Sequence, residues 1–255
     1  MNFLRIIGVS FIGVILTLLS FHASAEPLVP AREGQQLIVS IAPDWDNMFG
    51  ELRLFEYNKG KWIAQTERWK VIYGKAGMAW GLGMHPTEAG LQKKERDKRT
   101  PAGLFKIGPV YGAHPQNVSG AKGWPYVHVT HADAWVDDVA SPYYNQYKTV
   151  DLKNPPPWFE SQKMKPDDFA YEWRVLIEHN YPKAVPGAGS AIFFHIQRGE
   201  TRPSAGCTVM PKPHLEEMIR WLNPKGSPIL VQLPRDEYMK KATSWNLPPL
   251  VSFDK

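Results

Sequence analysis

The stretch Ala191-Ile192-Phe193-Phe194-His195-Ile196-Gln197-Arg198-Gly199-Glu200-Thr201-Arg202-Pro203-Ser204-Ala205-Gly206-Cys207-Thr208-Val209-Met210 reads as a strand, a polar loop and a second short apolar run. Side chains alternate across a strand, so Ala191, Phe193 and His195 point to one face and Ile192, Phe194 and Ile196 to the other. His195 therefore ends a largely apolar run, where an imidazole is buried and held in one orientation. A hairpin-like return through Gln197–Pro203 is expected to bring Cys207 back beside His195. Thiol chemistry needs this pairing: either a base that takes the thiol proton or an imidazolium that stabilises the thiolate. Gly206 permits close backbone approach just before the sulfur, and the amides of Gly206 and Cys207 are placed to face a developing oxyanion. Ser204 either adds a hydroxyl hydrogen bond at the base of the loop or caps a turn.

Cys207 is the only cysteine in the chain, so no internal disulfide forms. The first residues read as an export signal: a basic start ending at Arg5, an apolar run Ile6–Phe21, and Ala23-Ser24-Ala25 before Glu26. That run is shorter than the ~20 residues a spanning helix needs, which favours cleavage over anchoring. In an oxidising compartment a lone thiol is either buried and inert or kept for its reactivity. The formal charge of +5 is spread through a mixed-charge chain without a long basic run. It suits work near anionic polymers and gives no case for nucleic acid.

Short apolar runs of strand length recur at Leu37–Ile41, Leu52–Tyr57, Trp69–Tyr73, Leu104–Ile107, Tyr126–Thr130, Arg174–Glu178, Ala191–Ile196 and Ile229–Leu233, with Gly, Pro or Asn in most gaps. They predict a mainly β fold, a sandwich or barrel-like core with one or two short helices. One helix is explicit: in Pro213–Leu222, residues Leu215, Met218, Ile219 and Leu222 form a single buried stripe. Residues 112–170 differ, being rich in Pro, Tyr, Trp and Asp with little periodicity. They read as a long irregular insertion over the core, a lid or substrate wall. The expected organisation is a signal peptide at 1–25, a leader at 26–36, a catalytic domain at 37–234 and a C-terminal tail at 235–255.

The 191–210 stretch resembles the active-site segment of the L,D-transpeptidase (YkuD-type) catalytic domain, in which a strand histidine precedes a loop ending in Ser/Thr-His-Gly-Cys. A second block, Lys98-Arg99-Thr100-Pro101-Ala102-Gly103-Leu104-Phe105-Lys106-Ile107-Gly108, resembles the Thr-Pro-x-Gly-x-Phe turn and strand of that domain. The resemblance implies an L,D-transpeptidase-like β-sandwich and an exported enzyme of the periplasmic or cell-wall space. It implies Cys207 as nucleophile, His195 as proton carrier and Gly206 and Ser204 as supporting residues. The implied substrates are peptidoglycan stem peptides, joined by 3→3 cross-links through a thioester, with no metal and no organic cofactor. The acceptor is a stem amine, water, a free D-amino acid or a lipoprotein lysine. The same cysteine would serve an L,D-carboxypeptidase or another wall hydrolase, and an inert thiol would leave a non-catalytic wall-binding module. Two features depart from the pattern. Ala205 stands where the usual histidine precedes the glycine, and the loop from His195 to Ser204 is short.

Other residues are read as follows. His128 and His131 with Asp137 and Asp138 match no strong metal-ligand spacing. Tyr143, Tyr144 and Asn145 either face substrate or order the insertion. His179 reads as a core or rim histidine. Trp124, Trp135, Trp158 and Trp173 either stack on substrate or pack.

Overall fold

A computed structural model describes residues 28–254, so the expected signal peptide lies outside the described residues. The strands are β1 (Gln36–Ala42), β2 (Phe49–Asn58), β3 (Lys61–Ala64), β4 (Trp69–Ile72), β5 (Met78–Trp80), β6 (Thr100–Gly112), β7 (Tyr126–His128), β8 (Asp133–Trp135) and β9 (Tyr147–Thr149). The short helix α1 (Phe159–Gln162) precedes β10 (Trp173–Ile177), β11 (Phe193–Ile196) and β12 (Thr208–Met210). The helix α2 (Lys212–Trp221), the strand β13 (Ile229–Pro234), and the helices α3 (Arg235–Lys241) and α4 (Leu250–Asp254) complete the chain.

The fold is mainly β, as expected, but the two layers of the anticipated sandwich belong to one continuous sheet. Because β1 pairs in parallel with β13 and antiparallel with β2, the ring β1-β13-β6-β10-β11-β12-β4-β2 closes on itself. Closure leaves these strands without a free edge. β1 is buried along its whole length, and α3 packs against it and against β13. The segment read as a tail is thus part of the core, to which Tyr238, Trp245, Leu247 and Phe253 contribute. The leader is tied down too: Val29 is buried and its backbone bonds to Trp245 and Asn246.

The alternation read in 191–196 holds. Ile192, Phe194 and Ile196 join the main core, while Phe193 and Ala191 join a second cluster with Tyr111, Trp135, Met164 and Leu176. That second cluster is the underside of the insertion, which lies on the outer face of β6, β10 and β11. Its ribbon of β8 and β9 is anchored by Asp133, which accepts from Tyr147 Oη and Thr149 Oγ1 at 2.6 Å each and from the Thr130 amide at 2.7 Å. Burial alone would raise the pKa of this carboxyl, but the hydrogen bonds outweigh it and hold Asp133 below the ordinary carboxylate range.

One expectation is corrected. β11 and β12 run parallel, with Phe194 opposite Thr208 and His195 opposite Val209, so the connection is not a hairpin. The loop is carried along the end of β4 instead: Ser204 N donates to Tyr73 O at 3.0 Å and Lys75 N to Ser204 O at 3.1 Å. The chain therefore re-enters the sheet in the direction of β11. The helix α2 starts one residue earlier than read and carries Leu215, Met218 and Ile219 on its buried side. Among the described residues no helix is long and apolar enough to cross a membrane.

Candidate active site

Cys207 immediately precedes β12 and is only partly buried, at the junction of two clefts. The wider, about 400 Å³, is lined by His195, Tyr171, Glu95, Asp137, Arg198 and the Ser204–Cys207 turn. The narrower, about 230 Å³, runs beneath the insertion between Trp135, Phe193, Arg174, Gln162 and Lys163. Cys207 therefore lines an open cleft on each side.

The turn that presents the sulfur is built by its neighbours. Ser204 Oγ donates to the Cys207 carbonyl at 2.6 Å and accepts from the Gly206 amide at 3.0 Å. Thr100 Oγ1 reaches the same carbonyl at 3.4 Å and accepts from Gly74 N at 2.8 Å. The Thr-Pro block thus lies directly under the cysteine turn. Gly206 has φ +148°, and a Cβ there would stand 3.0 Å from Arg99 O, so both backbone conformation and space call for glycine. Thr208 faces the barrel interior, where its Oγ1 donates to Gln232 Oε1 at 2.6 Å while Gln232 Nε2 donates to Pro101 O at 2.8 Å. Ser204 is therefore both the turn cap and the hydroxyl at the loop base. The Gly206 amide is engaged by that hydroxyl and does not face open space. Ala205 is exposed on the rim.

His195 is buried, and Tyr171 meets it edge-on with ring centroids 5.0 Å apart. Its Nδ1 lies 3.0 Å from the Ile196 carbonyl, which assigns the proton to Nδ1 and leaves Nε2 as the basic nitrogen. Desolvation lowers its pKa to about 4. The thiol moves the opposite way: burial pushes it up to about 11, against the Phe193 backbone amide, which favours the thiolate. Both shifts favour the uncharged forms, a thiol and a neutral imidazole, over an ion pair. Cys207 and His195 line the same cleft, but no hydrogen bond joins them in this state; Sγ instead points to the Ala191 carbonyl at 3.5 Å.

That carbonyl is itself held in place. Ala191 has a positive φ of 54°, and its amide donates to Asn145 Oδ1 at 3.0 Å. The same oxygen accepts from Trp135 Nε1 at 2.9 Å, while Nδ2 donates to His179 O at 3.2 Å and Asn180 O at 2.8 Å. Asn145 thus orders the insertion and fixes the residue that the thiol touches. Tyr144 bonds Glu95 through its hydroxyl and accepts from Gly189 N at 3.1 Å. Tyr143 is exposed.

His179 is a core residue, accepting from Leu82 N at 3.1 Å and placing Nε2 2.9 Å from Ala188 O. Among the described residues no group of three or more His, Cys, Asp or Glu is arranged to hold a metal ion. His131 meets only Asp167, at 3.7 Å, and both are exposed. Trp135 packs in the wall of the narrower cleft, Trp173 is buried in the main core, and Trp124 bonds the Gly108 carbonyl.

A search of curated proteins returns no match. Among solved structures, the helical cell shape determining protein Pgp2 from Campylobacter jejuni is similar at 14% identity with a TM-score of 0.38. That match covers 78% of this chain and 48% of the other, so the chain spans about half of that protein. Residues 50–231 match the family of the L,D-transpeptidase catalytic domain, YkuD, an interval that includes the Thr100 block, His195 and Cys207. The chain belongs to the L,D-transpeptidase (YkuD) catalytic-domain family.

Proposed function

We propose that this protein is an exported L,D-transpeptidase of the periplasmic or cell-wall space, acting on peptidoglycan stem peptides through a thioester on Cys207. The observation that carries the proposal is the position of the chain's single thiol: at the junction of two open clefts, on a turn fixed by Ser204, Thr100 and Gly206, with a neutral imidazole lining the same cleft. Membership of a family of cysteine-dependent L,D-transpeptidases supports it.

In the proposed reaction Sγ attacks the carbonyl between the diamino acid and the terminal D-alanine. His195 Nε2 receives the thiol proton as the S–C bond forms, because neither group is charged at rest. The Cys207 amide holds the oxyanion; one such donor contributes about 3 kcal/mol. Collapse breaks the C–N bond, the imidazolium returns its proton to the departing amine, and D-alanine leaves. A stem amine then attacks the thioester, loses its proton to His195 and releases the thiol.

Incubation with tetrapeptide muropeptides, followed by mass analysis, tests this reading. The expected product is a cross-linked dimer lacking one D-alanine, absent with Cys207→Ala. Tripeptide alone would show hydrolysis and refute transfer to an amine. Unchanged substrate would refute the activity.

A further inference from the structure

Arg174 is the second residue of β10, directly opposite His195, on the face of the sheet that the insertion covers. It is 4% exposed, and its Nε and Nη2 have no hydrogen-bond partner among the described residues. A desolvated cation without a partner is costly and is normally found only where something anionic completes it. The neighbouring carboxylates do not supply that partner. Asp133 is occupied by Tyr147, Thr149 and Thr130, and Asp168 is paired with Arg198. The Tyr171 ring, 5.2 Å from the guanidinium carbon, offers a cation–π contact but no hydrogen bond.

Arg174 and Cys207 line the narrower cleft together and lie within electrostatic reach of each other. Trp135 and Phe193 make that cleft partly apolar, and Lys163 and Lys165 outnumber the one carboxyl in its lining, Asp137, whose burial favours the neutral form. A planar guanidinium with two unused N–H directions matches a carboxylate, which it binds through paired hydrogen bonds.

We propose that Arg174 forms a carboxylate-binding subsite in the cleft beneath the insertion and takes the C-terminal carboxylate of the residue that leaves when Cys207 is acylated. The assignment of that residue rests on the proposed transpeptidase reading; the carboxylate subsite itself does not. It gives the two clefts separate tasks. The leaving residue lies in the narrower one, which leaves the wider one, on the other side of Cys207, to the acceptor.

Alkylation of Cys207 reads the subsite without any peptide. Iodoacetate and iodoacetamide both transfer a two-carbon group to sulfur with loss of iodide, and only the first carries a carboxylate. The ratio of their rates on the wild-type protein, divided by the same ratio on N-acetylcysteine, is expected to exceed about ten, the gain from one charge-assisted pair. The normalised ratio should fall to within about twofold of unity in Arg174→Gln, stay mostly intact in Arg174→Lys, and stay intact in Arg202→Gln on the rim of the other cleft. A wild-type ratio near unity overturns the subsite whether or not the variants fold. So does a preference that survives Arg174→Gln.

Stem tetrapeptides amidated at one carboxyl at a time assign the ligand. The account expects kcat/KM to drop about tenfold or more when the terminal carboxyl is amidated, and the drop to vanish in Arg174→Gln. A drop confined to amidation of the diamino acid side chain overturns the assignment to the leaving residue. An Arg174-dependent iodoacetate preference in a protein that forms no thioester refutes the transpeptidase reading and leaves the subsite standing. Thioester formation without that preference does the reverse.

Discussion

Replacing Asn145 by alanine should damage the site from a distance, although Asn145 does not touch the sulfur. Its amide makes four hydrogen bonds in a buried position, to Trp135, Ala191, His179 and Asn180. Truncation strands two donors and two carbonyls. At about 1 kcal/mol for each lost bond the cost is about 4 kcal/mol, eased where water enters. Asn145 also has φ +57°, which asparagine tolerates and alanine adopts at about 1 kcal/mol or more. A net loss of about 3–5 kcal/mol corresponds to a Tm drop of roughly 6–20 °C for a domain of this size. Asn145→Gly removes the φ cost and keeps the hydrogen-bond loss, so it should melt above the alanine variant. Because Asn145 fixes the Ala191 amide and the Ala191 carbonyl receives the thiol, iodoacetamide should alkylate Cys207 faster in the alanine variant below its Tm. A Tm within about 2 °C of wild type would refute the pinning role. An unchanged alkylation rate in a destabilised variant would refute the link to the thiol.

Three further outcomes follow from the same geometry. The thiolate fraction of Cys207 should rise about tenfold per pH unit from neutrality towards pH 11, because burial raises the thiol; an alkylation rate that levels off near pH 7 would contradict the neutral pair. His179 and His195 are both lowered to about 4 by burial, so below the ordinary value of 6.5 the unfolded chain takes up protons that the folded one refuses. Each should cost about 1.4 kcal/mol per pH unit between 6.5 and 4, and a Tm independent of pH there would exclude buried neutral imidazoles. Ser204→Ala removes the cap on both the Cys207 carbonyl and the Gly206 amide, and kcat should fall about 10–100-fold with KM little changed, Ser204→Thr retaining most activity; an alanine variant of normal kcat would refute the positioning role.

How much of this was legible in the sequence depends on which physical signal each residue carries. The alternation of Ile192, Phe194 and Ile196 against Ala191, Phe193 and His195 is a period-two pattern, and it placed the two faces correctly. Periodicity says nothing about strand direction, so β12 was expected to return antiparallel although it runs parallel to β11. A barrel-like core is one of the two readings that the short strands allow, but closure itself depends on β1 pairing with two strands far apart in sequence, which no local pattern records. Helices α3 and α4 are short, and the buried Tyr238, Trp245, Leu247 and Phe253 fall at no single helical spacing. Cys207, His195, Gly206 and Ser204 are candidates by local chemistry and family resemblance, and the Gly206 amide, expected to face an oxyanion, bonds Ser204 Oγ instead. Asn145 and Arg174 lack such a signal. A single asparagine in an aperiodic insertion and an arginine opening an apolar run gain meaning only when the insertion folds back over β10 and β11.

The central claim is that Cys207 becomes acylated by a stem peptide. It is tested most directly by mixing the protein with tetrapeptide substrate, quenching in acid within the first turnovers and recording intact mass and peptide map. The account predicts a mass gain equal to the stem peptide less its terminal D-alanine, carried by the fragment that contains Cys207 and absent from Cys207→Ala. Turnover of substrate by Cys207→Ala, or an acyl group on any other residue, would contradict it.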